Sequence, residues 1–315
     1  MAAARRSVEL MVAETSVKLP SIGLSYNAEI RNNGTARRVQ DALVWMGAKE
    51  AGMVRYNRPP YDGLNEHDFH LYIDDGRDDI EMAEYPSPNA CWLVDTHLGY
   101  EQRLAWAKKF DHVFVAQLPT VDKLQEDGVE NVHWLPLACS PNLDMTAAEM
   151  RQADIMAEPP SKEWDVCFVG FLNTGVNGHG HNRMEYLNSV FGEFPNSWLA
   201  FNRFFHEAAM RFVKARVGFN ISILDDLNMR FFEIMSYGVC QVTNTDVIGI
   251  EELGFNDREH FIGYDGEEEA IEAVRWAVEN PLEAERIAKA GHELVREKHT
   301  YKHRIEQLLT TVGVM

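Results

Sequence analysis

A segment near residue 230 joins a polar loop to a short helix in a way that suits a diphosphate. Residues 225–238 begin with polar side chains, continue as a helical pattern, and stop at a glycine before an apolar strand. The free N–H groups and positive dipole end of such a helix favour anions, which assigns the diphosphate to Asn228, Met229 and Arg230. Glu233 lies one turn further in, where its carboxylate could accept two hydrogen bonds from a ribose. The alternative is an exposed i,i+3 ion pair between Arg230 and Glu233.

A second group of polar residues, Asp95, Thr96 and His97, follows a predicted strand. Ligands of open α/β sheets sit at the carboxyl ends of strands, so Asp95 and His97 are candidate catalytic residues. His97 could donate a hydrogen bond to a sugar hydroxyl or stabilise charge in a transition state. The alternative is a histidine satisfied within a surface between domains.

A glycine-rich loop at residues 173–181 precedes Arg183, whose guanidinium could pair with a diphosphate through two parallel hydrogen bonds. Lys214 could supply a second positive charge, or it could be an ordinary solvated lysine. His179 and His181 lack a third ligand at metal-site spacing, so no metal is predicted. The acidic residues 74–79 are typical of a solvated loop, and the alternative is an acceptor groove.

The spacing of Asp225 and Glu233 resembles the acidic-x7-acidic motif of retaining GT-B glycosyltransferases, the family typified by sucrose and glycogen synthases. The resemblance implies that Asp225 lies near the donor sugar and that Glu233 binds the ribose. Asp225 departs from the glutamate that is usual there. The resemblance also implies a histidine, His97, facing the sugar, and a glycine loop at Asn33 and Gly34 near the donor phosphate or the acceptor.

The sequence is most similar to the CgeB-like spore-maturation subgroup of these enzymes. The residues that carry this resemblance are 91–98, 134–138, Val169 and Gly170, 228–233, and 299–301 with Arg304. It implies that Gly170 belongs to the donor site and that Arg183 and Lys214 offset charge on the departing nucleotide. It further implies a metal-independent reaction with retention of configuration.

The elements that position these residues alternate between short apolar runs and helical patterns, which predicts parallel sheets with crossover helices. Strands are predicted at 22–26, 69–73, 90–94, 112–116, 132–137, 165–170, 217–221 and 239–243, and helices at 36–49, 119–126, from 183, and 229–237. The tail from residue 267 reads as helical, with a break at Asn280 and Pro281.

The predicted fold class is α/β of the GT-B type, with two Rossmann-like domains facing a cleft. Residues 1–150 form the acceptor domain and 151–298 the nucleotide-sugar domain. Residues 299–315 form a helix that returns to the first domain, as the family resemblance implies.

The composition excludes several classes of protein. With 315 residues, the chain is long enough for two domains. Its formal net charge of −19 argues against a protein that coats nucleic acid. The four cysteines form no C-x-x-C pair and no apolar run could span a bilayer, which predicts a reduced, cytoplasmic location.

These features predict an enzyme that moves a sugar from a nucleotide-sugar, with a UDP-sugar favoured, to a hydroxyl acceptor. No cofactor is expected apart from this co-substrate. The acceptor is open between a glycan, a small molecule and a modified DNA base, and the oligomeric state is open too. The alternatives are a viral-type glycosyltransferase acting on hydroxymethylated DNA bases, a nucleotide-sugar 2-epimerase, and a non-catalytic sugar-nucleotide-binding protein.

Overall fold

The chain forms two parallel β-sheets, and one of the buried apolar clusters packed on them joins the two halves of the chain. The computed structural model describes residues 19–26, 34–48, 66–74, 82, 84–171, 179–224 and 226–315. Within this part of the chain, each sheet has five strands, and every strand pair is parallel. The predicted α/β architecture with two parallel-sheet domains is confirmed.

The first sheet follows the chain in simple order, β1-β2-β3-β4-β5. Its strands are β1 (Ile22–Ser25), β2 (Phe69–Ile73), β3 (Asn89–Leu93), β4 (His112–Val115) and β5 (Val132–Trp134). Its helices are α1 (Thr35–Trp45), α2 (Tyr100–Ala107) and α3 (Leu118–Glu126), with a 3-10 turn at Thr96–Leu98. Nearly all strand residues are buried, as expected for a parallel sheet that is covered on both faces.

The second sheet has the order β10-β9-β8-β6-β7. Its strands are β6 (Trp164–Gly170), β7 (Ser197–Phe201), β8 (Ala215–Phe219), β9 (Cys240–Asn244) and β10 (Ile262–Tyr264). Its helices are α4 (Ala147–Gln152), α5 (His179–Glu193), α6 (His206–Phe212), α7 (Met229–Ser236), α8 (Glu267–Glu279) and α9 (Pro281–Lys298). The chain runs from β6 outward to β7 and then returns to the other side of β6 as β8. Strand order therefore reverses between β6 and β8, which makes this point the expected ligand site of the sheet.

The segment between the sheets contains α4, and the predicted domain boundary at residue 150 falls inside this helix. Met150 is buried with Cys167 and Phe212 in a cluster of the second sheet. The helix therefore packs as part of the C-terminal half. No helix among the described residues has the length and apolar character needed to cross a membrane.

The last helix, α10 (Tyr301–Thr311), packs on α1 of the first sheet. Thr300 caps it by accepting a hydrogen bond from the amide of His303. Ile305 and Leu308 are fully buried in the same core cluster as Val39 of α1. The chain thus returns to the N-terminal half, as the resemblance implies.

Shortening an apolar side chain of α10 is expected to destabilise the whole protein. Leu308 is fully buried, so Leu308→Ala should lower the free energy of unfolding by about 2–5 kcal/mol. Thr310→Ala, at an exposed position of the same helix, should change it by less than about 0.5 kcal/mol. Urea titrations of both variants measure this, and equal stabilities would contradict the packing of α10 described above.

Candidate donor site between the two sheets

A cavity of about 300 Å³ lies between the carboxyl ends of the two sheets. The first sheet contributes Asp74 after β2 and Asp95 just beyond β3. The second contributes Gly170 at the end of β6 and Asn220 just after β8. The cavity therefore opens at the point where strand order reverses, and its walls come from both halves of the chain.

Two helices begin at this cavity. Gly34 precedes α1 and lines the cavity, and so do Asn228, Met229 and Arg230 at the start of α7. Asn228 caps α7, because its side-chain oxygen accepts the amide of Phe231 at 3.0 Å. The positive ends of two helix dipoles thus meet at one cavity, which favours an anionic ligand.

Glu233 lies in the cavity wall with its carboxylate held by two arginines. Arg230 Nη1 donates to Oε2 at 2.7 Å, and Arg38 Nη2 donates to Oε1. The Arg230–Glu233 pair that the sequence offers as an exposed alternative does form, but Glu233 is only 4% exposed. Each carboxylate oxygen has two lone pairs, so acceptor capacity remains for a ligand.

Arg183 also lines the cavity, but its guanidinium is partly engaged already. Nη1 donates to the carbonyl of Phe171 at 2.8 Å and Nη2 to the carbonyl of Ile221 at 3.0 Å. Its Nε is buried and has no hydrogen-bond partner among the described residues. Arg183 therefore ties the ends of β6 and β8 together and presents positive charge to the cavity.

Two aspartates from different halves of the chain, Asp95 and Asp226, line the cavity together. Gln117 Nε2 donates to Asp226 Oδ1 at 2.7 Å, and Gln117 Oε1 accepts from Thr96 Oγ1 at 3.0 Å. Burial and the nearby Asp95 raise the pKa of Asp226 to about 7, whereas the hydrogen bond from Gln117 and the charge of Arg183 oppose the rise. This carboxyl thus titrates near neutral pH.

The backbone at Asp95 is held in an unusual conformation. Its φ is 50°, in the left-handed region that aspartate tolerates better than most residues. The amide of the preceding Val94 donates to Asp74 Oδ2 at 3.3 Å, and Arg103 Nε donates to the same oxygen at 2.9 Å. A buried ion pair therefore fixes the chain next to Asp95. Strain of this kind is commonly found at functional sites.

Residues 184–310 match a family model described as glycosyl transferase-like. No curated protein matches the sequence. The structure of HepE from Anabaena, solved with UDP and glucose, is similar with a TM-score of 0.61 at 10% identity, over 94% of this chain and 100% of that one.

Two further solved structures share the arrangement of both sheets. T4 phage BGT, solved with its UDP-glucose substrate, gives a TM-score of 0.60 at 12% identity over 93% of this chain and 99% of that one. Sucrose-phosphate synthase from Thermosynechococcus elongatus gives 0.56 at 12% identity over 92% and 97%. The chain therefore shares the GT-B fold with these structures, and its residues 184–310 are similar to the glycosyl transferase-like family. The family match supports transferase activity for this GT-B chain.

The GT-B cleft brings together most of the residues predicted for the donor. The described members are Gly34, Gly170, Arg183, Asn228, Met229, Arg230 and Glu233, with Asp95 beside them. A side chain at Gly170 would meet the ring of Phe168 at 2.6 Å, which explains the glycine at that strand end. Asp225, Asn33, residues 75–80 and residues 173–178 of the glycine-rich loop lie outside the described residues.

Two predicted residues lie away from the cavity wall. Lys214 precedes β8 at the amino end of that strand, and its Nζ pairs with Glu163 at 2.8 Å. Because the cavity lies at the carboxyl ends, Lys214 does not join the donor site. His97 lies in the turn after Asp95 but is not part of the described cavity wall, so its contact with the sugar stays a prediction. Among the described residues, no group of three or more histidine, cysteine, aspartate or glutamate side chains could hold a metal ion.

Two residues that line this cavity, Arg38 and Asp226, were not predicted from the sequence. Asp226 lies within the acidic motif, but the position near the donor sugar was assigned to its neighbour Asp225. Arg38 lies on the buried face of α1 with Thr35, Val39 and Ala42. A charged residue in an apolar helical stripe breaks the expected pattern, and that signal could have identified it.

The raised pKa of Asp226 predicts a pH-dependent stability. The folded pKa of about 7 lies above the ordinary value of about 3.9, so ionisation costs more in the folded state. This carboxyl should therefore lower the free energy of unfolding least below about pH 4 and progressively more as the pH rises toward 7. Asp226→Asn should remove this part of the pH dependence, whereas Asp122→Asn, at an exposed position, should leave it. Melting temperatures from pH 4 to 8 test this, and parallel curves for wild type and Asp226→Asn would contradict it.

Proposed function

We propose that the chain transfers a sugar from a UDP-sugar to a hydroxyl acceptor. The observation that carries the proposal is the cavity at the β6–β8 reversal, where Glu233 lines the wall beside the first turn of α7. A carboxylate suits a pair of ribose hydroxyls, and the amide end of a helix suits phosphate. A nucleoside diphosphate carries both groups a few ångströms apart.

The proposed donor lies along the second sheet. Its diphosphate contacts the start of α7 and the charge of Arg183, and its ribose contacts Glu233. HepE and T4 phage BGT, which share the fold, were solved with UDP or UDP-glucose, and this supports uridine as the base. The donor sugar then extends toward Asp95 on the first sheet.

The proposed chemistry follows from charge. Cleavage of the sugar–phosphate bond builds positive charge on the sugar ring and negative charge on the leaving diphosphate. Asp95 stabilises the former, and Arg183 with the helix start at Asn228 stabilises the latter. Closure of the two halves around the donor excludes water and limits hydrolysis.

We also propose that the reaction retains anomeric configuration and that the chain belongs near the CgeB-like subgroup. Retention rests on the acidic-x7-acidic spacing that ends at Glu233, and the subgroup rests on the matching segments at 91–98, 134–138, 228–233 and 299–301. The product's anomeric configuration, read from proton coupling constants by NMR, tests retention. A product of inverted configuration would refute it.

The proposed donor is tested by a thermal-shift screen against nucleotides and nucleotide-sugars. Specific binding stabilises the folded protein by mass action and so raises its melting temperature. At a ligand concentration of 100 Kd, the gain in the free energy of unfolding is about 2.7 kcal/mol. UDP and one or more UDP-sugars are expected to raise it, and ADP and GDP are expected to do so less. No response to any nucleotide would refute the proposal.

The alternative functions give different products from the same donor. A 2-epimerase converts the UDP-sugar to its epimer without an acceptor. A non-catalytic binding protein is stabilised by the donor, so its melting temperature rises, but the donor stays intact. A DNA-modifying enzyme transfers label to duplex DNA that contains hydroxymethylated bases. Incubation of radiolabelled donor with no acceptor, with such DNA, and with a glycan panel separates these outcomes.

A further inference from the structure

Arg38 joins the two halves of the chain at the proposed donor site. It lies on α1 of the first sheet, and its side chain is 3% exposed. Nη1 donates to Asp144 Oδ2 at 2.7 Å, and Nη2 donates to Glu233 Oε1 on α7. The planar guanidinium fork thus spans two carboxylates that belong to different segments of the chain.

Asp144 gives this fork a fixed anchor. Its Oδ2 also accepts the amide of Ser140 at 2.7 Å. Its backbone carbonyl accepts Ser236 Oγ at 2.7 Å and Arg296 Nη2 at 2.9 Å. Asp144 is therefore bonded to the end of α7 and to α9, and it holds Arg38 in a fixed position relative to Glu233.

The charges in this cluster support a permanently ionised Arg38. Burial opposes the charged form, but the negative charges of Asp144 and Glu233 outweigh it and raise the pKa of the guanidinium above its ordinary value. With Arg230 on Oε2 and Arg38 on Oε1, both oxygens of Glu233 have a fixed direction.

We propose that Arg38 is a positioning residue of the donor site: it holds the Glu233 carboxylate in the orientation that accepts the ribose hydroxyls. The inference rests on the proposed function. It makes nucleotide affinity depend on the N-terminal half, although the nucleotide itself lies on the C-terminal sheet. Arg38 acts through Glu233 and does not touch the reacting atoms.

If Arg38 only stabilised the fold, its replacement would weaken the binding of all nucleotides by the same factor. The discriminating readout is the ratio of affinities for UDP and 2′-deoxy-UDP, which differ by one ribose hydroxyl. If Glu233 binds that hydroxyl, the wild type should prefer UDP by about tenfold, the effect of one charge-assisted hydrogen bond. Glu233→Gln should reduce the preference to about twofold.

The experiment compares Arg38→Met with Arg37→Met by isothermal titration of both nucleotides. Arg37 is the adjacent arginine and is exposed, so its replacement is the matched control. Arg38→Met is expected to lose most of the preference for UDP, as Glu233→Gln does, and Arg37→Met is expected to keep it. The double variant Arg38→Met with Glu233→Gln should be no less selective than Glu233→Gln alone.

A wild-type preference in Arg38→Met would overturn the inference and leave the proposed function standing. If Arg38→Met does not fold, Arg38→Lys takes its place. Lysine keeps the charge but lacks the guanidinium fork. The preference of this variant for UDP over 2′-deoxy-UDP should therefore fall below about fivefold. A full preference in Arg38→Lys would then overturn the inference. A wild type that binds no UDP would refute the proposed function and this inference together.

Discussion

Glu233→Ala is expected to abolish the rise in melting temperature that UDP produces and to destabilise the protein without ligand. The ligand effect follows from the loss of the ribose contact. The second effect follows because Arg38, which is buried, and Arg230, which is half-buried, would keep their charges without their shared partner. Removing one member of a buried ion pair costs about 3–5 kcal/mol. Urea titration gives the stability, and thermal shift with and without UDP gives the ligand effect.

The matched control is Glu285→Ala, which removes an exposed carboxylate from α9 of the same half. It should keep both the stability and the response to UDP. If Glu233→Ala responded to UDP as fully as this control, the ribose would have to bind elsewhere. If Glu233→Ala were as stable as this control, the ion pairs of Glu233 with Arg38 and Arg230 would not stabilise the fold as their geometry indicates.

Asp95→Asn is expected to lower kcat by about 10²–10³-fold while UDP affinity changes by less than about threefold. Asp95 lines the cavity from the first sheet, opposite the helix that is proposed to hold the diphosphate. Its charge is proposed to act on the sugar as the glycosidic bond breaks, and asparagine keeps the shape without the charge. Steady-state transfer rates and UDP titration separate these two quantities.

Asp122→Asn provides the matched control, since Asp122 is exposed on α3 of the same half. Its kcat should equal that of the wild type. A kcat of Asp95→Asn within about threefold of the wild type would exclude Asp95 from stabilising the transition state. A loss of UDP affinity with kcat unchanged would assign Asp95 to ground-state binding instead.

Much of the architecture could be predicted because its signals are local. Apolar runs of four to six residues gave β2 at its observed bounds and β6 within one residue. Pro281 marked the start of α9 because proline suits the first turn of a helix. The short strand β10 and the edge strand β7 were missed. β10 has three residues, and β7 alternates between half-buried and exposed positions without a clear apolar face.

The candidate site could be predicted only where its residues lie close together in sequence. The start of α7 and Glu233 belong to one motif, so their spacing carried the prediction. Arg38 lies 195 positions from Glu233, and no local pattern connects them. Lys214 shows the opposite error: the family resemblance assigned it to the donor site, but it lies at the end of β8 away from the cavity. Ligands of open α/β sheets bind at the carboxyl ends of strands, so the position of Lys214 before β8 already argued against a role in the donor site.

The most direct test of the donor site is a crystal structure of the chain with UDP. We expect the diphosphate at the first turn of α7 and both ribose hydroxyls within about 3.2 Å of the Glu233 carboxylate oxygens. UDP bound outside the cavity between the sheets, or a ribose beyond hydrogen-bond reach of Glu233, would contradict the account.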